Sequence, residues 1–207
     1  MPYKDKNKQK EYQNKRYLAN KKKYYESNKE RRLLLFKKLF DYKKNLSCLY
    51  CGKRNPAYID FHHNGDKLDT VGDVLRKTYS WDRVIEEIKK CDVVCANCHR
   101  KLHRKEKESQ KYLENTTNLS QQHKRETYRW FCDYKSSLKC EICGEKESCC
   151  LDFHHTKDKT ISVGRCASRG HSKKRILKEI EKCIVLCANC HRELHMDTCG
   201  CGEMQTH

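Results

Sequence analysis

Apolar residues in this chain come in short groups separated by charge, and the spacing within each group predicts an element. The first forty-odd residues are polar almost throughout, with Tyr12, Tyr17, Tyr24 and Tyr25 interleaved among lysines. No Gly breaks them and the sole Pro is Pro2, so an exposed helix is expected. Near its end Leu33, Phe36 and Phe40 share one helical face, which predicts docking on the adjoining module. Tyr58-Ile59-Asp60-Phe61-His62 then alternates in character, as a half-buried strand does. Val84, Ile85 and Ile88 return to helical spacing, and Val93-Val94-Cys95 forms a short apolar strand. A final helix begins at Cys95-Ala96-Asn97-Cys98 and sets His99 and His103 one turn apart on one face.

The same order recurs 92 residues later. Leu151-Asp152-Phe153-His154 repeats the alternating strand, Ile176, Leu177 and Ile180 the helix, and Val185-Leu186-Cys187 the apolar strand. Asp41-Tyr42-Lys43 recurs as Asp133-Tyr134-Lys135, Phe36 matches Tyr128 and Leu39 matches Phe131, so each repeat starts with a helix. Between the copies, Lys107 to Lys124 is polar and reads as a linker, helical in part. Gly164 to Gly170 reads as an interruption ahead of the second copy's helix. The expected organisation is a basic helical arm (1–43), a first module (44–106), a linker and helix (107–135), a second module (136–197) and a tail (198–207).

What repeats unchanged is a set of thiols and imidazoles. Cys48, Cys51, Cys95 and Cys98 match Cys140, Cys143, Cys187 and Cys190, and His62, His63, His99 and His103 match His154, His155, His191 and His195. Residues between them have diverged, Trp81 against Lys173 for example. Two Cys-x-x-Cys knuckles far apart in sequence fit a closed tetrahedral zinc site, one per module. Each knuckle turn closes on a Gly, Gly52 or Gly144. Disulfides are the competing use of 16 Cys. The spacing with His nearby, and the lack of an apolar leader in residues 1–30, favour metal in an intracellular, reducing compartment. No run approaches transmembrane length.

Composition sharpens this. Leu, Ile, Val and Phe supply 37 of 207 residues while the net charge is +18, a balance more usual in disordered chains. Metal therefore has to supply folding energy; a structural zinc contributes roughly 10–16 kcal/mol of apparent binding energy. The fold class expected is a pair of small α+β zinc-stabilised modules with flanking helices. The excess charge points to a polyanionic partner, nucleic acid above all. Residues 1–46 alone carry 16 Lys and Arg against 5 Asp and Glu.

Four His per module exceed structural need. Three imidazoles hold a divalent ion with an open position, and a fourth can act as a base. Together, C-x-x-C, D-F-H-H and C-x-N-C-H-R-x-L-H resemble the HNH endonucleases with a ββα-metal core and a four-cysteine zinc, over 48–103 and again over 140–195. The resemblance implies that His62, His99 and His103 bind a catalytic Mg²⁺, Mn²⁺ or Zn²⁺ and that His63 is the general base. His154, His191, His195 and His155 take those roles in the second copy. It places Asp60 and Asp152 behind a ligand His, and leaves Arg100 and Arg192 either holding the phosphate or facing solvent. It also implies hydrolysis of phosphodiesters in double-stranded DNA by a monomer whose two modules imitate a dimer. Lys90 and Lys182 stand where the family's Asn usually lies; that Asn fixes the loop carrying the base. Strict alternation sends His62 and His63 to opposite faces, so one shared site requires the strand to end or bend there. The alternative function is a zinc-containing nucleic-acid-binding protein with degenerate nuclease sites.

Overall fold

The computed structural model describes residues 5–65, 69–77, 80–109 and 119–199, with side chains omitted at 106–109, 119–120 and 197–199. Residues 110–118 of the expected linker and 200–207 of the tail, including Gly200 and Cys201, lie outside the described residues. The elements are α1 (Lys6–Lys44), β1 (Ile59–His63), α2 (Val71–Lys77), α3 (Trp81–Ile88), β2 (Cys91–Cys95) and α4 (Ala96–Ser109). After them come α5 (Leu119–Ser136), a 3-10 turn (Ser148–Cys150), β3 (Leu151–His155), α6 (Val163–Ser168), α7 (Lys173–Ile180), β4 (Cys183–Cys187) and α8 (Ala188–Cys199). The protein is α+β; among the described residues there are two sheets of two strands each, β1 beside β2 and β3 beside β4. No described helix is long and apolar enough to cross a membrane.

Two units divide the chain. One comprises Met1–Lys43 and His63–Asp92, the other Lys44–His62 and Val93–His207. The knuckles of both copies therefore belong to the second unit, while the first copy's α2 and α3 belong to the first.

In the first unit α1 is solvent-exposed for most of its length, as its polarity dictates. Its buried residues are Leu35 and Leu39, whereas Leu33 and Phe36 are about half exposed. The docking face is thus rotated from the one predicted: one turn (Leu35 to Leu39, i to i+4) suffices to seat the helix. Among the described residues of this unit, Val71, Leu75, Val84 and Ile88 are the other buried apolar side chains. At the start of α2, Thr70 and Asp73 exchange hydrogen bonds: the Asp73 N–H donates to Thr70 Oγ1 (2.9 Å), and the Asp73 carboxylate accepts from the Thr70 hydroxyl at 2.6 Å. Ser80 caps α3 by accepting from the Arg83 N–H. Lys38 lies over the ring of Trp81, 5.1 Å from its centroid.

In the second unit β3 and β4 pair antiparallel in the register Leu151↔Cys187 through His155↔Cys183. Phe131, Val163, Cys166, Ala167 and Ile176 form one small core. Leu151 and Leu186 form another with Cys140, Cys187 and Cys190, beneath the knuckles. The first copy's counterpart of the latter is Cys48, Tyr58, Ile59, Val94, Cys95 and Ala96. Phe131 is buried and Tyr128 exposed, as Leu39 and Phe36 are, so the helix preceding each module is part of the repeat. Its cation–π contact is repeated with the partners exchanged: Lys173 lies 5.3 Å from the Trp130 ring centroid, and Trp130 and Lys173 occupy the positions of Lys38 and Trp81.

The run Gly164 to Gly170 is not an interruption. It is mostly helix α6, the counterpart of α2, and Gly170 ends it at φ +71°. The Gly170 N–H donates to the Ala167 carbonyl and the His171 N–H to that of Cys166, the pairing that closes a helix on a left-handed residue. A Cβ at Gly170 would come within 2.8 Å of the Lys124 side chain. With cores this small, Ile176 carries a large share of the packing. Ile176→Ala should destabilise the chain by about 2–5 kcal/mol, read as a lower denaturant midpoint.

The knuckles of the two copies pair directly. The Asn97 N–H donates to Asn189 Oδ1 (3.0 Å) and the Asn189 N–H to Asn97 Oδ1 (3.2 Å). Both asparagines are buried. Each contact is the other with its roles exchanged, which is the signature of a two-fold relation. Lys101 to Glu145 (2.9 Å) and Cys150 Sγ to the Asn97 carbonyl (3.5 Å) flank this seam on one side, and Asn55 to Glu193 (2.7 Å) on the other.

Candidate metal centres

Each set of four cysteines is assembled by two tight turns. Gly52 and Gly144 have φ of +69° and +74°, a conformation that favours glycine, and they let Cys48 with Cys51, and Cys140 with Cys143, point to one spot. Cys95 and Cys187 end β2 and β4; Cys98 and Cys190 lie in the first turn of α4 and α8. Within each set the ligand atoms lie within 4.8 Å of one another. Cys51 and Cys95 sulfurs are 3.7 Å apart and those of Cys143 and Cys187 3.5 Å. That is far beyond a disulfide (about 2.05 Å) and close to the roughly 3.8 Å that tetrahedral Zn–S bonds impose. The Cys98 and Cys190 N–H groups donate to the sulfurs of Cys95 and Cys187. Burial works against ionising Cys48, yet backbone donors outweigh it and bring its thiol down to about 7; Cys140 behaves alike. Burial and the neighbouring thiols push Cys98 and Cys190 up. Four crowded thiols do not all ionise without a cation, and a divalent one resolves the conflict. These two groups can hold structural zinc.

The three-His sets stand beside them. His62, His99 and His103 converge, as do His154, His191 and His195, with ring nitrogens again within 4.8 Å. His99 Nε2 and His103 Nε2 are 3.0 Å apart, and His191 and His195 3.2 Å. Metal–nitrogen bonds of roughly 2.0–2.1 Å give about 3.0 Å at a right angle and about 3.4 Å at the tetrahedral angle, so the spacing fits a chelated ion. Asp60 Oδ2 lies 3.2 Å from His99 Nδ1, and Asp152 Oδ2 3.2 Å from His191 Nδ1. An Nδ1–H given to a carboxylate leaves the Nε2 lone pair facing inward. Burial, then the facing imidazoles of His191 and His195, hold His154 below its ordinary value. In the second copy burial of Asp152 is outweighed by bonds from His191 and Arg100, which keep it ionised down to about 2.

His155 turns the other way. The strand runs through both histidines without a bend, so alternation carries His154 towards His191 and His195 and His155 towards α7. There His155 Nε2 lies 2.8 Å from Glu179 Oε1, with the two side chains 8% and 6% exposed. Glu179 also accepts from the Thr160 and Ile161 N–H groups and pairs with Lys182 (2.9 Å). Burial opposes its charge, but Lys182, those N–H groups and His155 outweigh it and hold it well below the usual carboxylate range. In the first copy His63 Nε2 lies 2.8 Å from Glu87 Oε1, and Lys90 pairs with Glu87 at 2.7 Å.

The glutamates were not singled out in the sequence, although Glu87 and Glu179 are 92 residues apart and each stands three before a repeated lysine. Arg100 and Arg192 have partners of a different kind from either expectation. The guanidinium of Arg100 donates to both carboxylate oxygens of Asp152 (3.0 and 2.8 Å) and to the Cys150 carbonyl (3.2 Å). Arg192 donates to Asp60 Oδ1 at 2.8 Å. Comparison with family models, with curated proteins and with solved structures finds no match to this chain.

Proposed function

We propose that this chain is a metal-dependent endonuclease of the HNH type that hydrolyses phosphodiester bonds in duplex DNA. The observation that carries the reading is the three-His cluster, built twice on identical offsets, each backed by a carboxylate and each beside a closed set of four cysteines. A purely structural module needs the four thiols and not the imidazoles. A divalent ion held by His62, His99 and His103, or by His154, His191 and His195, would neutralise charge on the phosphate as the P–O bond breaks.

The remaining chemistry belongs to the chain. Glu87 takes the Nε2–H of His63 and fixes its tautomer, which leaves Nδ1 as the basic nitrogen. In that state Nδ1 accepts the proton of the attacking water, and Glu179 does the same for His155. Lys90 and Lys182, at the positions where the resembled family carries its Asn, hold these glutamates in place. The net charge of +18 and the exposed basic face of α1 supply the attraction to the DNA backbone. Two centres related by the asparagine seam would each cut one strand.

One observation favours a second reading, a nucleic-acid-binding protein without cleavage. His155 is nearly buried and its Glu179 partner is bonded on several sides, as a structural brace would be. Supercoiled plasmid separates the two. With Mg²⁺ or Mn²⁺ the zinc-loaded chain should yield nicked and then linear DNA, and EDTA should stop it. Retention of plasmid with no cleavage under any of these ions would establish the second reading instead.

A further inference from the structure

Arg100 and Arg192 each leave their own module. Arg100 follows His99 on α4, yet its guanidinium is forked on Asp152 of the second copy. Arg192 follows His191 on α8, yet it reaches Asp60 of the first. Both aspartates also contact a metal-site histidine, Asp60 on His99 and Asp152 on His191. The result is two crossed chains, Arg192–Asp60–His99 and Arg100–Asp152–His191, lying on either side of the reciprocal Asn97–Asn189 bonds.

We infer that each module's arginine is a positioning residue for the other module's three-His centre. This rests on the reading of those histidines as ligands of a catalytic ion. The physical case is geometric. A carboxylate that accepts one imidazole N–H through a single oxygen still rotates about its Cβ–Cγ bond, and the ring follows it. Arg192 on Asp60 Oδ1, while His99 is on Oδ2, fixes the plane of the carboxylate and with it the direction of His99 Nε2. For Asp152, Arg100 touches both oxygens and is anchored a third time on the Cys150 carbonyl. As a stability element the Arg192–Asp60 pair contributes little: its side chains are 42% and 23% exposed, and ion pairs at such sites are weak. Groups that hold a metal-bound histidine matter far more to the ion, typically 10–100-fold in affinity or activity; the aspartates do this directly, and the arginines do it by fixing the aspartates. Neither centre is then complete without the partner module.

The test uses the full chain with zinc in both four-cysteine sets and Co²⁺ as the probe of the three-His site, followed by its visible absorption. In a chain carrying His191→Ala only the first centre remains. There Arg192→Ala should weaken Co²⁺ binding 10–100-fold and alter the spectrum, whereas Arg100→Ala should change affinity less than twofold. In a chain carrying His99→Ala the two arginines should exchange roles. Arg192→Lys, which keeps a donor for the single Asp60 contact, should restore most of the affinity. Zinc content and far-ultraviolet circular dichroism identify any variant that has lost its fold. Arg192→Gln and Arg100→Gln, which remove the charge but keep a polar side chain on the helix, then make the same comparison.

Equal losses from both arginines, or a loss confined to the arginine's own module, would overturn the inference while leaving the endonuclease reading standing. The crossed pattern in Co²⁺ binding without any plasmid cleavage would support the inference and sink that reading. Absence of Co²⁺ binding beyond the zinc sites would remove both.

Discussion

Stripping zinc from the two four-cysteine sets should unfold the protein, and this is the largest effect expected. The buried side chains under each knuckle are few, Leu151 and Leu186 with three of the cysteines themselves in the second copy. Removing the ion takes away roughly 10–16 kcal/mol of apparent binding energy, against a net stability of order 5–15 kcal/mol for an ordinary domain. Four thiols within 4.8 Å of one another then remain in each set, and burial with the neighbouring thiols makes two of them resist ionisation, Cys51 and Cys98 in one and Cys143 and Cys190 in the other. A strong chelator at neutral pH should therefore abolish the near-ultraviolet circular dichroism, and added zinc should restore it. Mild chelation should leave about two zinc per chain, because a closed site releases its ion slowly. Cys98→Ser should lose the first module's fold. A chain that keeps its spectrum with no zinc bound would defeat the structural role.

The second large effect is on cleavage. His63→Ala combined with His155→Ala should lower the rate by about 10²–10⁴-fold, the usual contribution of a positioned base, while duplex binding remains. Neither histidine belongs to a three-His cluster, so metal content should be unchanged. Glu87 and Glu179 would lose a partner but keep Lys90 and Lys182, which protects the fold. Either single substitution should turn linear product into nicked product, if one centre serves each strand. Wild-type cleavage by the double variant would show that these histidines are not the bases and would leave them as braces.

Much of the local structure was legible. The knuckle glycines, both strands of each sheet and the helices bearing His99 with His103 and His191 with His195 follow from spacing alone. The grouping of the four cysteines and of the three histidines was legible for the same reason: i to i+4 on a helix and Cys-x-x-Cys on a turn are local geometries. What escaped depends on partners distant in sequence. Asn97 and Asn189 lie inside a knuckle, and nothing local says that their hydrogen bonds cross to the other copy. Glu87 and Glu179 sat among the charges of a solvated helix, and only the fold turns them inward onto a histidine. Arg100 and Arg192 could be located beside a ligand, but nothing local says that each reaches past its own module. Helices α2 and α6 were missed because six or seven residues with a glycine second give no helical period. On α1 the wrong face was chosen, since Leu33 and Phe36 are as apolar as Leu35 and Leu39 and only packing distinguishes them.

The exchanged Lys–Trp contact is common to the two copies. Lys38 over Trp81 and Trp130 beneath Lys173 are one interaction with its two chemical identities transposed. No single substitution interconverts them. Both positions differ between the copies, and the charge is supplied from the preceding helix in one and from the later helix in the other. A cation–π contact at an accessible site contributes about 0.5–1 kcal/mol, and it does so whichever of the two positions carries the ring. What the two halves share here is thus a pairing of charge with ring, which a position-by-position comparison of their residues does not reveal.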